Sequence, residues 1–195
     1  MIRRKLKKIL SLSLSLLCTT ALFAQNGNLG LRDATAEILG VANDTAFIAK
    51  SRQANVLFSS ATSKLIITLP IETIRDNHPQ IDSCFQSQKG INLVVDHQVE
   101  GNVFRLFEDE NSNHNSPFFG TLNIGAHSQR VSGNYRIYRT IGKFSSGDKT
   151  NANMGPMLLD VNLFFEPTEL NKNPKLQFSN PVELILSGAY INQMN

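Results

Sequence analysis

The sequence predicts a single all-β domain, either a barrel or a sandwich of antiparallel strands. Apolar and polar residues alternate with a period of two in runs of about five to nine residues, which is typical of half-buried strands. The runs recur at intervals of about 8–15 residues and are separated by segments rich in Gly, Ser, Asn and Pro. After residue 40 no apolar stripe of helical period extends beyond two turns. This regular spacing indicates one β-domain rather than two.

The N-terminus predicts a secretory signal peptide over residues 1–24. Five basic residues lie within residues 1–8, an apolar stretch covers residues 9–17, and Ala24 precedes Gln25. These are the parts of a cleavable signal, and the stretch is shorter than the ~20 residues that a membrane span needs. We expect cleavage after Ala24 and a periplasmic or secreted protein. Lipidation at Cys18 is the less favoured alternative, because Leu17 stands where bacterial lipoprotein signals carry Gly, Ala or Ser.

The strand patterns become regular only in the second third of the chain. Residues 25–43 are assigned to a lead-in, within which residues 33–39 fit either a helical turn or a first strand. Weaker alternation marks residues 47–50, 56–60 and 99–108. The regular patterns cover residues 64–71, 90–96, 120–125, 130–139, 157–165 and 181–192. In the last of them, Leu184, Leu186 and Tyr190 are predicted to share a face.

The connections and the helix are predicted from composition and period. Polar or turn-rich connections are expected at residues 109–117, 142–156 and 166–174. The best short-helix candidate covers residues 81–88.

Composition excludes two broad classes of protein. With 41% hydrophobic and 18% charged residues, the chain of 195 residues is too apolar to be disordered. Without the basic residues of the signal, 14 basic residues face 16 acidic ones. A weakly acidic body argues against a nucleic-acid partner, which requires a basic face.

The candidate metal ligands do not make a site. Asp109, Asn111 and Asn113 have the spacing that opens a calcium loop, but His114 and Gly120 stand where that loop needs Gly and Glu. The four histidines, His78, His97, His114 and His127, lack the local spacing of zinc ligands. Each histidine is therefore predicted to be a surface or turn residue, and no metal or cofactor is expected.

No catalytic motif is present either. Asp96 and His97 form a lone dyad, and the sequence has no nucleophile elbow of the Gly-x-Ser-x-Gly kind. Cys84 is the one cysteine left after signal removal. It is interpreted as a small buried hydrophobe rather than a nucleophile. The sequence predicts that the protein is not an enzyme.

Three segments carry a resemblance to a known family. Residues 65–74 (LIITLPIETI) resemble the strand of YceI-like proteins that ends in P-I-x-S-F/L, and residues 76–93 resemble the short helical insert that follows it. Residues 120–135 (GTLNIGAHSQRVSGNY) are similar to the family's G-x-L-T-I-H-G-V-T-K-P-V hairpin. The family's His-Gly at the hairpin turn is here Gly125-Ala126, and the chain has no Trp. The resemblance spans residues 44–192.

The resemblance implies an up-and-down, lipocalin-like barrel of about eight strands over residues 44–195. It further implies binding of a polyisoprenoid or similar long-chain apolar ligand in the lumen. The residues then expected to face that ligand are Leu65, Ile67, Leu69, Leu93, Val95, Leu122, Ile124, Ile137, Leu159, Val161, Leu163 and Phe165.

Two functions remain open. The same alternation would also make a packed core, so the alternative is a structural or protein-interaction β-domain of the cell envelope without a ligand. The sequence is compatible with a homodimer in either case.

Overall fold

Eight antiparallel strands close into a barrel in which each strand pairs with the next along the chain. The computed structural model describes residues 29–59, 62–99, 113–139, 157–167, 170 and 176–193. The strands are β1 (Leu29–Ala42), β2 (Thr45–Ser59), β3 (Lys64–Pro70), β4 (Asn92–Gln98), β5 (Asn113–Ile124), β6 (His127–Arg139), β7 (Met157–Phe165) and β8 (Val182–Gln193). A 3₁₀ turn (Ile71–Thr73) and one helix, α1 (Pro79–Gln86), lie between β3 and β4. The predicted all-β barrel with a short helical insert is confirmed.

Pairing of the first strand with the last closes the barrel. Ile38 of β1 lies opposite Ala49 of β2 on one side and opposite Leu184 of β8 on the other. The segment that the sequence assigned to a lead-in therefore supplies a wall strand, and the barrel begins at Leu29. Residues 33–39 belong to strand β1, so of the two interpretations the strand is correct and the helical turn is not.

The turn between β1 and β2 follows from two residues that tolerate a left-handed backbone. Asn43 and Asp44 have φ of 45° and 62° and separate the paired residues Ala42 and Thr45. Positive φ at both central positions is the requirement of the type I′ turn that matches strand twist, and Asn and Asp accept it more readily than other non-glycine residues. The weak alternating run at residues 47–50 and residues 56–59 of the run at 56–60 belong to the single strand β2, and residue 60 lies outside the described residues.

The polar connection predicted at residues 109–117 is wrong for its second half. Residues 113–117 are the first part of β5 and pair with Tyr138 to Asn134 of β6. Their side chains are exposed or half-buried, so hydrophobic alternation carries no signal of this strand. Residues 109–112, the strand candidate at 99–108 apart from Val99, and the connection at 142–156 lie outside the described residues.

A bulge changes the phase of β8. Between the pairs Leu159↔Ala189 and Val161↔Leu186, β8 contains one more residue than β7. Gly188 has φ of 60°, and its N–H donates to Oδ1 of Asp160 at 2.7 Å. Such an extra residue bends the strand and shifts its alternation. After Leu186 the next buried position is therefore Ala189 rather than residue 188. The side chain of Tyr190, which the sequence placed on the face of Leu184 and Leu186, is outside the described part.

At one place β6 and β7 approach more closely than side chains allow. A Cβ atom on Gly133 would overlap the carbonyl oxygen of Asn162 and lie 2.7 Å from Cα of Leu163. Glycine inside a strand often marks such an approach of two backbones. This contact fixes residue 133 as a glycine.

An aromatic plug covers one end of the barrel. Phe47 of β2, Phe85 of α1 and Phe178, which precedes β8, have ring centroids 5.4–6.4 Å apart, and we call these three residues the plug. Backbone hydrogen bonds attach the covering segments to the wall: Asn43 N–H donates to Gln177 O at 3.0 Å, and Lys50 and Arg75 exchange two bonds of 2.8 Å. The helix is amphipathic and buries Ile81 and Cys84 beside Phe85.

Candidate functional site

The barrel interior is the candidate site, and its wall is aliphatic. All twelve residues that the sequence predicted to face inward are buried, with at most 3% of the surface of any one exposed. They belong to one continuous hydrophobic cluster that also includes the plug. Whether they contact a ligand stays a prediction.

Strand register arranges the inner wall in rows. Ile67 lies opposite Val56 of β2 and Val95 of β4, and Val95 in turn lies opposite Leu122 of β5. All four side chains are buried. Ile67 is therefore in the middle of a row of aliphatic side chains, where a larger side chain would report whether the interior is filled.

Cys84 is part of the plug end and is not suited to nucleophilic chemistry. Its side chain is buried, and Sγ lies 3.6 Å from the carbonyl oxygen of Leu170. Burial disfavours the thiolate and raises the pKa of Cys84 above its usual value, while Gln88 acts in the opposite direction to a smaller extent. A less available thiolate is a weaker nucleophile and metal ligand.

His97 is a buried polar residue on the inner wall, at the opposite end from the plug. His97 is only 4% exposed and lies next to the last residue of β4. Its ring stacks on Phe118 with centroids 4.3 Å apart and meets the edge of Tyr135 at 5.2 Å. We call His97, Phe118 and Tyr135 the collar. The prediction that His97 is a surface or turn residue is wrong, because His97 continues the inward phase of Leu93 and Val95.

The hydrogen bonds of His97 leave one ring nitrogen without a partner. Nδ1 lies 2.8 Å from the carbonyl oxygen of Phe119. A carbonyl oxygen only accepts, so Nδ1 carries the hydrogen and, in the neutral ring, Nε2 carries a lone pair. Among the described residues nothing bonds to the buried Nε2. The collar thus offers a hydrogen-bond acceptor to the barrel interior.

Gly120 makes the stacking of the collar possible. It pairs with His97 across β4 and β5. A Cβ atom there would overlap the carbonyl oxygen of Asp96 and lie 2.8 Å from Cε1 of Phe118. The absence of a side chain therefore leaves the space in which the ring of Phe118 lies against the imidazole.

The other candidate catalytic and metal residues are dispersed. Asp96 lies on the outer face, where it accepts a hydrogen bond from Lys64 Nζ at 2.9 Å, so it points away from its neighbour His97. His78 is exposed and contacts Asp76 Oδ1 through Nδ1 at 2.7 Å. Asn113 accepts a hydrogen bond from Arg136 within the sheet. In the described part of the chain, no group of three or more His, Cys, Asp or Glu is placed to hold a metal ion.

The outer wall carries an exposed aromatic pair. Phe119 of β5 and Phe164 of β7 are 68% and 45% exposed, and both lie opposite Ser132 of β6. They line a surface depression of about 760 Å³.

Among helices in the described residues, none has the length and hydropathy that a membrane span requires.

Comparison with known proteins gives a structural likeness to solved structures but no sequence match. No protein-family model and no curated protein matches the chain. The barrel is similar to a polyisoprenoid binding domain from Saccharophagus degradans implicated in plant cell wall breakdown, with a TM-score of 0.61 over 87% of this chain and 99% of that chain. The two proteins share a fold. Their sequences are 7% identical, so the likeness concerns the fold alone, and it is consistent with the resemblance to YceI-like proteins seen in the sequence.

Proposed function

We propose that this protein binds a long-chain lipid, such as a polyisoprenoid, with the apolar chain held inside the barrel. The observation that carries the proposal is the aliphatic inner wall, which runs from the plug to the collar and includes the twelve residues named from the sequence. A barrel of eight strands has a lumen that side chains fill or that holds one small ligand. The shared fold with a domain described as polyisoprenoid binding supports the second use.

The proposed role is binding rather than catalysis. The compared structure is described as a binding domain. Asp96 and His97 lie on opposite faces of β4, and Cys84 is buried with a raised pKa. A triad-like arrangement needs a nucleophile and a base within hydrogen-bond reach, and these residues do not provide one.

We also propose that the protein is exported and that its mature chain begins at Gln25. Ala24 supplies the small side chain that a signal peptidase requires, after the basic and apolar parts of the signal. The intact mass of the protein recovered from the periplasm or medium should therefore correspond to residues 25–195. A species that begins at Cys18 and carries acyl chains would contradict this and would place the protein on a membrane.

Substituting Ile67 by phenylalanine tests whether the interior is a lumen. In a ligand-holding barrel the larger ring occupies space that the lipid uses, so we expect near-normal thermal stability and less lipid in an organic extract of the purified protein. In a filled core the same change overpacks the row and costs about 1–3 kcal/mol. Ile66→Phe is the matched control, because Ile66 is the neighbouring outward position and is only half-buried.

The stability and lipid content of the two variants together distinguish lipid binding from a filled core. Ile67→Phe with lost stability, and a parent protein without lipid, would contradict the lipid-binding proposal. Ile66→Phe should change neither stability nor lipid content to a comparable degree.

The exposed aromatic pair favours a second candidate function, a protein-interaction domain of the cell envelope with a filled core. Large apolar side chains grouped on a surface often mark a contact with another protein, and Phe119 and Phe164 lie on neighbouring strands around Ser132. A homodimer through this face is one form of that function. The lipid content of the purified protein distinguishes it from the first proposal.

A further inference from the structure

The collar identifies the chemistry of the ligand's polar end. Resting on the proposed function, we infer that the bound lipid is a long-chain alcohol whose terminal hydroxyl donates a hydrogen bond to Nε2 of His97. The inference starts from a buried nitrogen that carries a lone pair and has no partner among the described residues. A buried polar group without a hydrogen bond is costly, so a site of this kind favours a ligand that supplies the missing donor.

The position of His97 along the barrel agrees with a ligand that has a hydroxyl at one end. His97 lies at the Gln98 end of β4, and the plug covers the other end. A chain whose hydroxyl reaches His97 can extend from the collar along Val95 and Leu93 toward the plug. Ligand pockets commonly combine apolar walls with a few placed polar groups that fix orientation.

The lone pair of Nε2 favours a head group that can donate a hydrogen bond. The buried polar residues of the described part are Ser51, Gln88 and His97. Ser51 is hydrogen-bonded to Thr73 of the 3₁₀ turn, and Gln88 follows α1, so both belong to the plug end. No lysine or arginine is among the described buried residues. A fully ionised phosphate or diphosphate carries no hydrogen to donate to the lone pair of Nε2, whereas a hydroxyl does.

Nδ1, the other nitrogen of the His97 ring, already has a hydrogen-bond partner. Because Nδ1 donates to the carbonyl oxygen of Phe119, the imidazole is held in one orientation, and stacking on Phe118 restrains it further. Nε2 therefore presents its lone pair in a fixed direction. An ether or hydrocarbon end would leave that lone pair unsatisfied, whereas a hydroxyl would satisfy it.

Three probes that differ only at the polar end test the inference. They are an all-trans isoprenoid alcohol, its methyl ether and its diphosphate, each titrated into delipidated protein and followed by isothermal calorimetry. We expect the wild-type protein to bind the alcohol about tenfold more tightly than the ether, and the diphosphate more weakly than the alcohol. His97→Leu should bind alcohol and ether equally, whereas His78→Leu, which changes an exposed histidine at the plug end, should keep the preference.

The results separate failure of the inference from failure of the proposed function. Equal binding of alcohol and ether by the wild type, tighter binding of the diphosphate, or a preference that persists in His97→Leu would overturn the inference while leaving lipid binding intact. If no probe binds the wild type, the proposed function fails with it.

A measurement on the unaltered protein covers the case in which His97→Leu does not fold. In protein labelled with ¹⁵N-histidine, the signal of the unprotonated Nε2 of His97 should move upfield when the alcohol is added and should stay in place with the ether. An unchanged signal at saturating alcohol would overturn the inference.

Discussion

Replacing Gly133 by alanine should destabilise the protein by at least about 3 kcal/mol, the upper part of the range for overpacking. The added Cβ would overlap the carbonyl oxygen of Asn162, and no side-chain rotation relieves a clash between two backbones. Strands β6 and β7 would have to separate in the region where Gly133 pairs with Leu163. The free energy of unfolding, measured by denaturant titration, checks this expectation.

Asn134→Ala is the control for that experiment. Asn134 is the next residue of β6 and is exposed, so its truncation should change stability by no more than about 0.5 kcal/mol. If Gly133→Ala were as stable as the control, the close approach of β6 and β7 would be contradicted.

Truncating Phe85 to alanine should cost about 3–5 kcal/mol, which is the usual range for a buried phenylalanine. The ring is fully buried and joins α1 to Phe47 of β2 and to Phe178 in front of β8. Its loss leaves a cavity that three separate segments would have to close. Domains commonly have a total stability of about 5–15 kcal/mol, so thermal unfolding should move to a much lower temperature.

Phe164→Ala provides the matched comparison. The same atoms are removed from a side chain that is 45% exposed on the outer wall, so a much smaller loss is expected. Equal effects of the two truncations would contradict the assignment of Phe85 to a packed plug.

The strands that the sequence predicted best are those with large aliphatic residues at alternate positions. β3 and β7 show this pattern throughout, and their inward residues are buried as expected. The hydrophobic alternation of β1 and β2 is weak because several of their inward positions hold small residues, as at Ala36, Ala49 and Ala54. Alternation measures burial of large side chains, so a strand that buries alanine gives little signal.

Closure of the sheet could not be predicted from the alternation itself. A barrel and a sandwich both place apolar residues on one face of each strand. The difference lies in the pairing of β1 with β8, which joins residues far apart in the chain. The barrel was predicted only through the resemblance of residues 65–74 and 120–135 to YceI-like proteins.

The polar feature of the candidate site was missed for a different reason. The spacing of metal ligands in the sequence gives His97 no role. Its phase in β4, two residues after Val95 and four after Leu93, would have placed it on the inner wall. The orientation of its ring depends on Phe119 and Phe118 of a neighbouring strand, which local sequence does not specify.

Mass spectrometry of an organic extract is the most direct test of lipid binding. The mature protein should be purified without detergent, and a quantity of Ile67→Phe equal in protein mass should be extracted in parallel. We expect the parent protein to release an apolar chain ending in a hydroxyl, at about one molecule per barrel, and the variant to release much less. A parent extract without lipid, from protein that also fails to bind an added isoprenoid alcohol, would contradict the account and leave the filled-core interaction domain in its place.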